Sequence, residues 1–243
     1  MLYESLLDFW RVRLSFLPWN EIDTVLLDMD GTLLDLHYDN VFWMNTLPEK
    51  LAARSGQTLA QSKDALFARY EKVMGTIDWY CLDYWAEQLD MDIMAAKRED
   101  QHLIRMRDDT IPFLDALNAS GREVVLVTNA HPDALALKLE NTDLGNHISQ
   151  MISTHEFGVP KEYQSLWQQL HQRVSFNPSR TLFVDDSLPI LHAAQTFGIK
   201  HLLSIINPDS QKEDRNITDF PATADYRDFT NEILATPVQK GKQ

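Results

Sequence analysis

Short apolar runs that stop in polar residues recur along this chain, separated by stretches whose apolar residues return at helical spacing. Thr24-Val25-Leu26-Leu27 is too short for a helix and reads as a buried parallel strand that delivers Asp28 and Asp30 into a Gly31-Thr32 turn. Glu123 to Val127 repeats the pattern and ends in Thr128-Asn129, and Thr181 to Val184 repeats it and ends in Asp185-Asp186-Ser187. A weaker strand is expected around Ile148 to Ser153 and a last one over Lys200 to Ile205. Helices are expected from Asp109-Thr110-Ile111-Pro112 to Gly121, from Pro132 to Glu140, through Leu166, Trp167 and Leu170 with Lys161 at the start, and from Pro189 to Phe197 before Gly198. Strand followed by helix, several times over, predicts an α/β fold: a Rossmann-like parallel sheet with helices on both faces.

The pattern breaks between His37 and Asp108, where no β-branched strand run occurs. Asp39 is expected to cap a helix through Phe42 and Met44, Thr58 to Gln61 to open a second reaching Tyr70, and Trp79 to Leu89 to form a third. The predicted organisation is a core of residues 1–36 and 109–235, an inserted helical cap of residues 37–108, and a polar, flexible tail of residues 236–243. Within residues 1–20, Leu2, Leu6, Phe9, Trp10 and Arg13 suggest an amphipathic helical extension that packs on the domain.

The 243 residues carry a formal net charge of −14, which argues against a nucleic-acid partner because phosphate backbones ask for clustered Lys and Arg. A small anionic substrate would have to be held by local groups and a metal. No stretch approaches a membrane span, no secretory signal is evident, and Cys81 is the single cysteine, so a cytoplasmic setting is expected.

Phosphoryl transfer from a monoester asks for a nucleophile, a metal, donors to the phosphoryl oxygens and an acid for the leaving group. The polar strand ends offer a candidate for each. Asp28 is the nucleophile and Asp30 the acid and base; Thr128 offers its hydroxyl, Asn129 its backbone N–H or amide, and Lys161 a point charge. Asp185 and Asp186 are hard oxygen ligands suited to Mg²⁺.

In this order, Asp28-Met29-Asp30-Gly31-Thr32, Thr128-Asn129, Lys161 and Asp185-Asp186 resemble the four motifs of the haloacid dehalogenase superfamily. The resemblance implies that Asp28 attacks phosphorus and that Asp30 protonates the leaving group and lends its backbone carbonyl to the metal. Thr128 and Lys161 would then hold the phosphoryl oxygens. It also implies a metal site of Asp28, Asp30, Asp186 and Asp185, with Asp186 the preferred direct ligand, and a helical insert that acts as a cap. The motif around the lysine departs from many members, because Glu162 stands where they carry a proline.

A closer similarity, to bacterial GMP/IMP 5′-nucleotidases of this superfamily, rests on Trp79 to Trp85, Thr128-Asn129-Ala130-His131-Pro132, Ser153 to Gly158 and Asn207-Pro208-Asp209-Ser210. It implies a small-molecule phosphomonoester, GMP or IMP, as substrate, with His37, Asn40, Trp79 and Tyr80 as candidate contacts. A sugar-phosphate phosphatase or phosphomutase shares the same motifs. A receiver-like phosphoacceptor protein uses similar residues, but in a different order along its chain.

Overall fold

The computed structural model describes residues 17–238. The expected N-terminal helix and the end of the polar tail lie outside these residues. Six parallel strands form one sheet in the order β3-β2-β1-β4-β5-β6. They are β1 (Thr24–Leu27), β2 (Glu123–Thr128), β3 (Gln150–Ser153), β4 (Thr181–Asp185), β5 (His201–Ile205) and β6 (Ala222–Thr223). β1 sits between β2 and β4, with Leu27 in register with Leu126 and Val184, so three polar strand ends become neighbours. The order reverses beside β1, and in open α/β sheets a crevice for ligands forms at such a switch point.

Alternation along β1 explains the layering. Val25 and Leu27 join one buried cluster with Phe113, Leu117 and Tyr226, while Leu26 joins another with Trp167, Phe183 and Leu191. Leu203 and Ile205 of β5 belong to the first cluster and Leu202 to the second, so both faces of the sheet are covered.

Between β1 and the helix Thr110–Ala119 lie α1 (His37–Val41), continued by a π-turn over Phe42–Thr46, then α2 (Leu47–Ser55), α3 (Leu59–Val73), α4 (Ile77–Tyr80), α5 (Leu82–Leu89) and α6 (Ile93–Glu99). Thr58 and Gln61 form the expected capping box of α3. Phe42, Leu66, Tyr70 and Trp85 form a separate core for this segment, which also takes in Ala134 of the Pro132–Glu140 helix. Two linkers tie it to the sheet domain: Asp35 N–H donates to Arg105 O at 3.0 Å, and Arg107 N–H donates to Leu33 O at 3.1 Å.

Four expectations are corrected. Trp79 to Leu89 is two helices, because Cys81 turns to an extended conformation and its sulfur caps α5 by accepting from Tyr84 N–H. Asp39 lies inside α1 instead of capping it, since two buried lysine ammoniums draw its carboxylate inward. β5 is not the last strand. β6 and a helix over Arg227–Ala235 follow, the helix anchored by Tyr226, whose ring stacks on Phe113 at 4.3 Å. The expected tail is also held at its start: Arg122 donates to Thr236 O at 2.8 Å, and Val238 N–H donates to Ser120 O at 2.8 Å.

Candidate active site

The chain leaves β1 through Gly31, whose φ of +83° few other residues adopt. A Cβ there would lie 2.9 Å from Asp186 Cγ and 3.0 Å from Pro208 Cβ, so the missing side chain lets the β1 turn close onto the β4 turn. The two carboxylates of β1 then part company, each to its own buried lysine.

Lys161 Nζ lies 2.5 Å from Asp28 Oδ1 and 2.7 Å from Asp185 Oδ2. Its position is fixed from several sides: its N–H donates to Asn129 Oδ1 at 2.9 Å, and its carbonyl accepts from Trp167 Nε1 at 2.9 Å. Oxygens of Asp28, Asp185 and Asp186 all fall within 4.8 Å of one another. Asp185 Oδ1 also accepts from Ser187 N–H at 2.8 Å, so both its oxygens are engaged. The nearest cation to the Asp186 carboxylate is Arg215, at 3.8 Å on the rim.

Burial is the main force raising all three acids. Asp28 is pushed up to about 6, against the pull of Lys161 and with repulsion from Asp185 added. Asp185 is raised, and Asp186 is raised well above the usual carboxylate range by burial and then by Asp185 and Asp28. Three hard carboxylates facing one ammonium make a donor set that fits a divalent cation such as Mg²⁺.

The second lysine was not anticipated from the sequence. Lys138, from the helix Pro132–Glu140, lies 2.6 Å from Asp30 Oδ1 and 2.7 Å from Asp39 Oδ2. Asp39 also meets Lys97 at 3.0 Å, and Lys97 is buried against the rings of Tyr38, Phe42 and Trp43 at 4.7, 4.5 and 5.3 Å. Burial lifts Asp30 to about 6, with Lys138 opposing and Asp39 and Asp28 reinforcing. Asp39 is instead held well below the ordinary range, because Lys138 and Lys97 together outweigh its burial. The available signal was register: Lys138 shares a helical face with the buried Ala134 and Leu137, where a lysine requires a partner.

Thr128 is buried, and its Oγ1 accepts from Ala130 N–H at 3.0 Å. The Asn129 amide is committed to the scaffold, accepting from Thr154 Oγ1 at 3.0 Å and from Lys161 N–H and donating to Glu162 at 3.1 Å. Glu162 also accepts from Tyr80 Oη at 2.7 Å, so the residue that departs from the common lysine motif joins the helical segment to the sheet domain.

A cavity of about 330 Å³ unites these groups. Its polar lining comes from Asp28, Asp30, Thr128, Asn129, Lys161, Asp185 and Asp186 among others, and Trp43, Met44, Trp79, Tyr80, Leu82 and Ala134 add apolar and aromatic surface. Trp43 and Trp79 stack with ring centroids 6.3 Å apart. Asn40 also lines the cavity, with its amide donating to Asp209 at 2.7 Å. His37 is not part of the lining: its ring pairs with Asp209 at 3.3 Å, beside the Asn40 contact.

Fold and site together define a hydrolase of the haloacid dehalogenase type. A family model described as haloacid dehalogenase-like hydrolase matches residues 22–198, and the chain belongs to that family. It is 48% identical over 211 residues to a protein named GMP/IMP nucleotidase YrfG from Escherichia coli K12, a match that covers 87% of this chain and 95% of that protein. The Shigella flexneri protein of the same name matches equally. Among solved structures, a phosphatase of this superfamily from Thermococcus onnurineus aligns with a TM-score of 0.72 at 20% identity, over 89% of this chain and all of that one.

Proposed function

We propose that the chain is a Mg²⁺-dependent phosphomonoesterase that hydrolyses purine nucleoside 5′-monophosphates, GMP and IMP, through a phosphoaspartate on Asp28. The observation that carries the reading is the placing of two acids at one strand end in unlike surroundings: Asp28 in a cluster of three carboxylates around Lys161, and Asp30 paired with Lys138. Similarity to the GMP/IMP nucleotidases and the stacked Trp43 and Trp79 in the same cavity as the acids support a purine base as the leaving nucleoside's handle.

Asp28 Oδ forms the bond to phosphorus as the bond from phosphorus to the 5′ oxygen breaks, and Asp30 gives its proton to that oxygen. Water then attacks phosphorus as Asp30 takes a proton from it, and the acyl phosphate bond breaks to release inorganic phosphate. Thr128 Oγ1, Asn129 N–H and Lys161 Nζ hold the phosphoryl oxygens, which requires Lys161 to exchange its carboxylate contacts for substrate. Asp28, the Asp30 carbonyl and Asp186, with Asp185 alongside, would hold Mg²⁺, which would supply charge neutralisation at those oxygens. Asp186 is the favoured direct ligand because both Asp185 oxygens already accept hydrogen bonds. Residues 37–108 act as the cap, with Trp79 and Tyr80 beside the nucleoside and the contact between Tyr80 and Glu162 closing the site against water. The reaction is assigned to the cytoplasm.

The test is a panel of GMP, IMP, AMP, pyrimidine monophosphates and sugar phosphates, assayed with Mg²⁺ and then with chelator. GMP and IMP are expected to lead, and chelation to stop phosphate release. A profile led by sugar phosphates, or isomerisation of hexose phosphates, would remove the nucleotidase assignment.

A further inference from the structure

Apart from the acidic cluster, one other group among the described residues brings metal-binding side chains together. Cys81 stands at the break between α4 and α5, His131 at the entry to the helix Pro132–Glu140, and His155 just after β3. One donor atom from each lies within 4.8 Å of the others. The two imidazoles meet edge to face with centroids 5.0 Å apart. His155 Nε2 is buried without a well-aligned hydrogen-bond partner, and the backbone of Asn129 and Tyr80 lies close to the ring. Burial and the neighbouring His131 hold this ring toward its neutral form, the one that binds metal. His131 Nδ1 accepts from Asp133 N–H at 3.3 Å, and its Nε2 faces the helical segment, 3.6 Å from the carboxylate of Asp83.

We propose that Cys81, His131 and His155 form a second metal site, separate from the acidic cluster, which takes a borderline divalent ion of the zinc class and pins the helical segment to the sheet domain. Sulfur and imidazole donors select such an ion over Mg²⁺, whereas the carboxylates favour the harder one, so the two sites sort different cations. Zinc-class ions take these donors at about 2.0–2.3 Å, a distance reached by a small contraction of the group. The exposed Asp83 carboxylate, or a water molecule, completes the coordination. On binding, the sulfur to metal bond forms as the Cys81 thiol proton leaves to solvent. The ion bridges residues on both sides of the linkers, so it restrains the segment that the Tyr80–Glu162 hydrogen bond already holds closed.

The test is a Co²⁺ titration of the full chain in saturating Mg²⁺, reading the thiolate-to-cobalt charge-transfer band in the near ultraviolet. The band is expected to saturate at one equivalent. Cys81→Ser keeps an oxygen acceptor at the α5 cap and so preserves the helix, yet it should abolish the band and weaken Co²⁺ binding at the second site by at least about tenfold. His155→Ala should weaken binding similarly while the fold persists. Hydrogen exchange with Zn²⁺ should slow at residues 79–85 in the parent chain and stay unchanged in Cys81→Ser. Absence of a thiolate band, or full Co²⁺ affinity in His155→Ala, would overturn the proposal. Neither readout uses turnover, so the result is independent of the phosphatase assignment.

Discussion

Lys161 and Lys138 are both buried, and each joins a carboxylate from the β1 turn to a second one, but their surroundings differ in charge. Around Lys161, three carboxylates face one ammonium. Around Lys138, Asp30 and Asp39 face Lys138 and Lys97, and the account closes near neutrality. A site short of positive charge suits a cation, and such a cation would draw Asp28 toward its ionised form. A balanced one leaves Asp30 able to gain and lose a proton without disturbing the rest, the contrast on which the two proposed roles rest.

The largest break is expected at the proposed nucleophile. Asp28→Asn is expected to lower phosphate release by at least about 10⁴-fold, because no general acid replaces a missing nucleophile. Circular dichroism and thermal unfolding should show the fold intact.

Lys138→Met should be next, cutting turnover by about 10²–10³-fold and stability by about 3–5 kcal/mol. Lys138 pulls Asp30 down, so its removal lets Asp30 climb above about 6, and the pH optimum should move to higher pH. The sign for stability follows. An acid raised in the folded state favours folding most below its unfolded value, and that contribution is lost as pH rises through the folded value. The variant's deficit against the parent should therefore be smaller near pH 4, where only the pairing of Lys138 with Asp39 is lost, and widen toward pH 7, as read by denaturant unfolding at stepped pH.

Asp186→Asn should act in the opposite sense on the metal-free protein. Asp186 is strongly raised, so above its unfolded value folding must take up a proton or bury a poorly compensated charge, a cost the amide lacks. Without metal the variant should be more stable by on the order of 1–3 kcal/mol at neutral pH, with the gap closing as pH falls below about 4. Mg²⁺ should stabilise the parent chain far more than the variant.

The sheet and the polar strand ends were legible because each strand is a short apolar run with its chemistry placed just beyond it. Val25, Leu26 and Leu27 need burial on both faces, and Asp28 inherits its position from them. Lys138, Lys97 and Asp39 were not legible, since their partnership joins three helices whose packing no local pattern reveals. Asp39 read as a cap because caps are what an aspartate near a helix start usually does. Arg227–Ala235 was missed for a similar reason: only Phe229 and Ile233 of that helix are buried, and the helix depends on packing against the helix Thr110–Ala119.

Smaller effects sharpen the same contrast. Gly31→Ala places a methyl group against Asp186 and Pro208 in a strained backbone, and about 1–3 kcal/mol of stability should be lost together with weaker Mg²⁺ binding. His37→Ala, outside the cavity lining, should leave kcat/KM for GMP within about threefold of the parent value.

The central claim is that the phosphoryl group passes to Asp28. Acid quenching during steady hydrolysis of GMP in Mg²⁺, followed by peptide mass spectrometry, measures this directly. The account predicts one phosphoryl group on the peptide that carries Asp28, absent in Asp28→Asn and on every other carboxylate. Turnover with no phosphorylated peptide when product release is fast and the quench is shown to preserve acyl phosphates, or a phosphoryl group on Asp30 or Asp186, would contradict it.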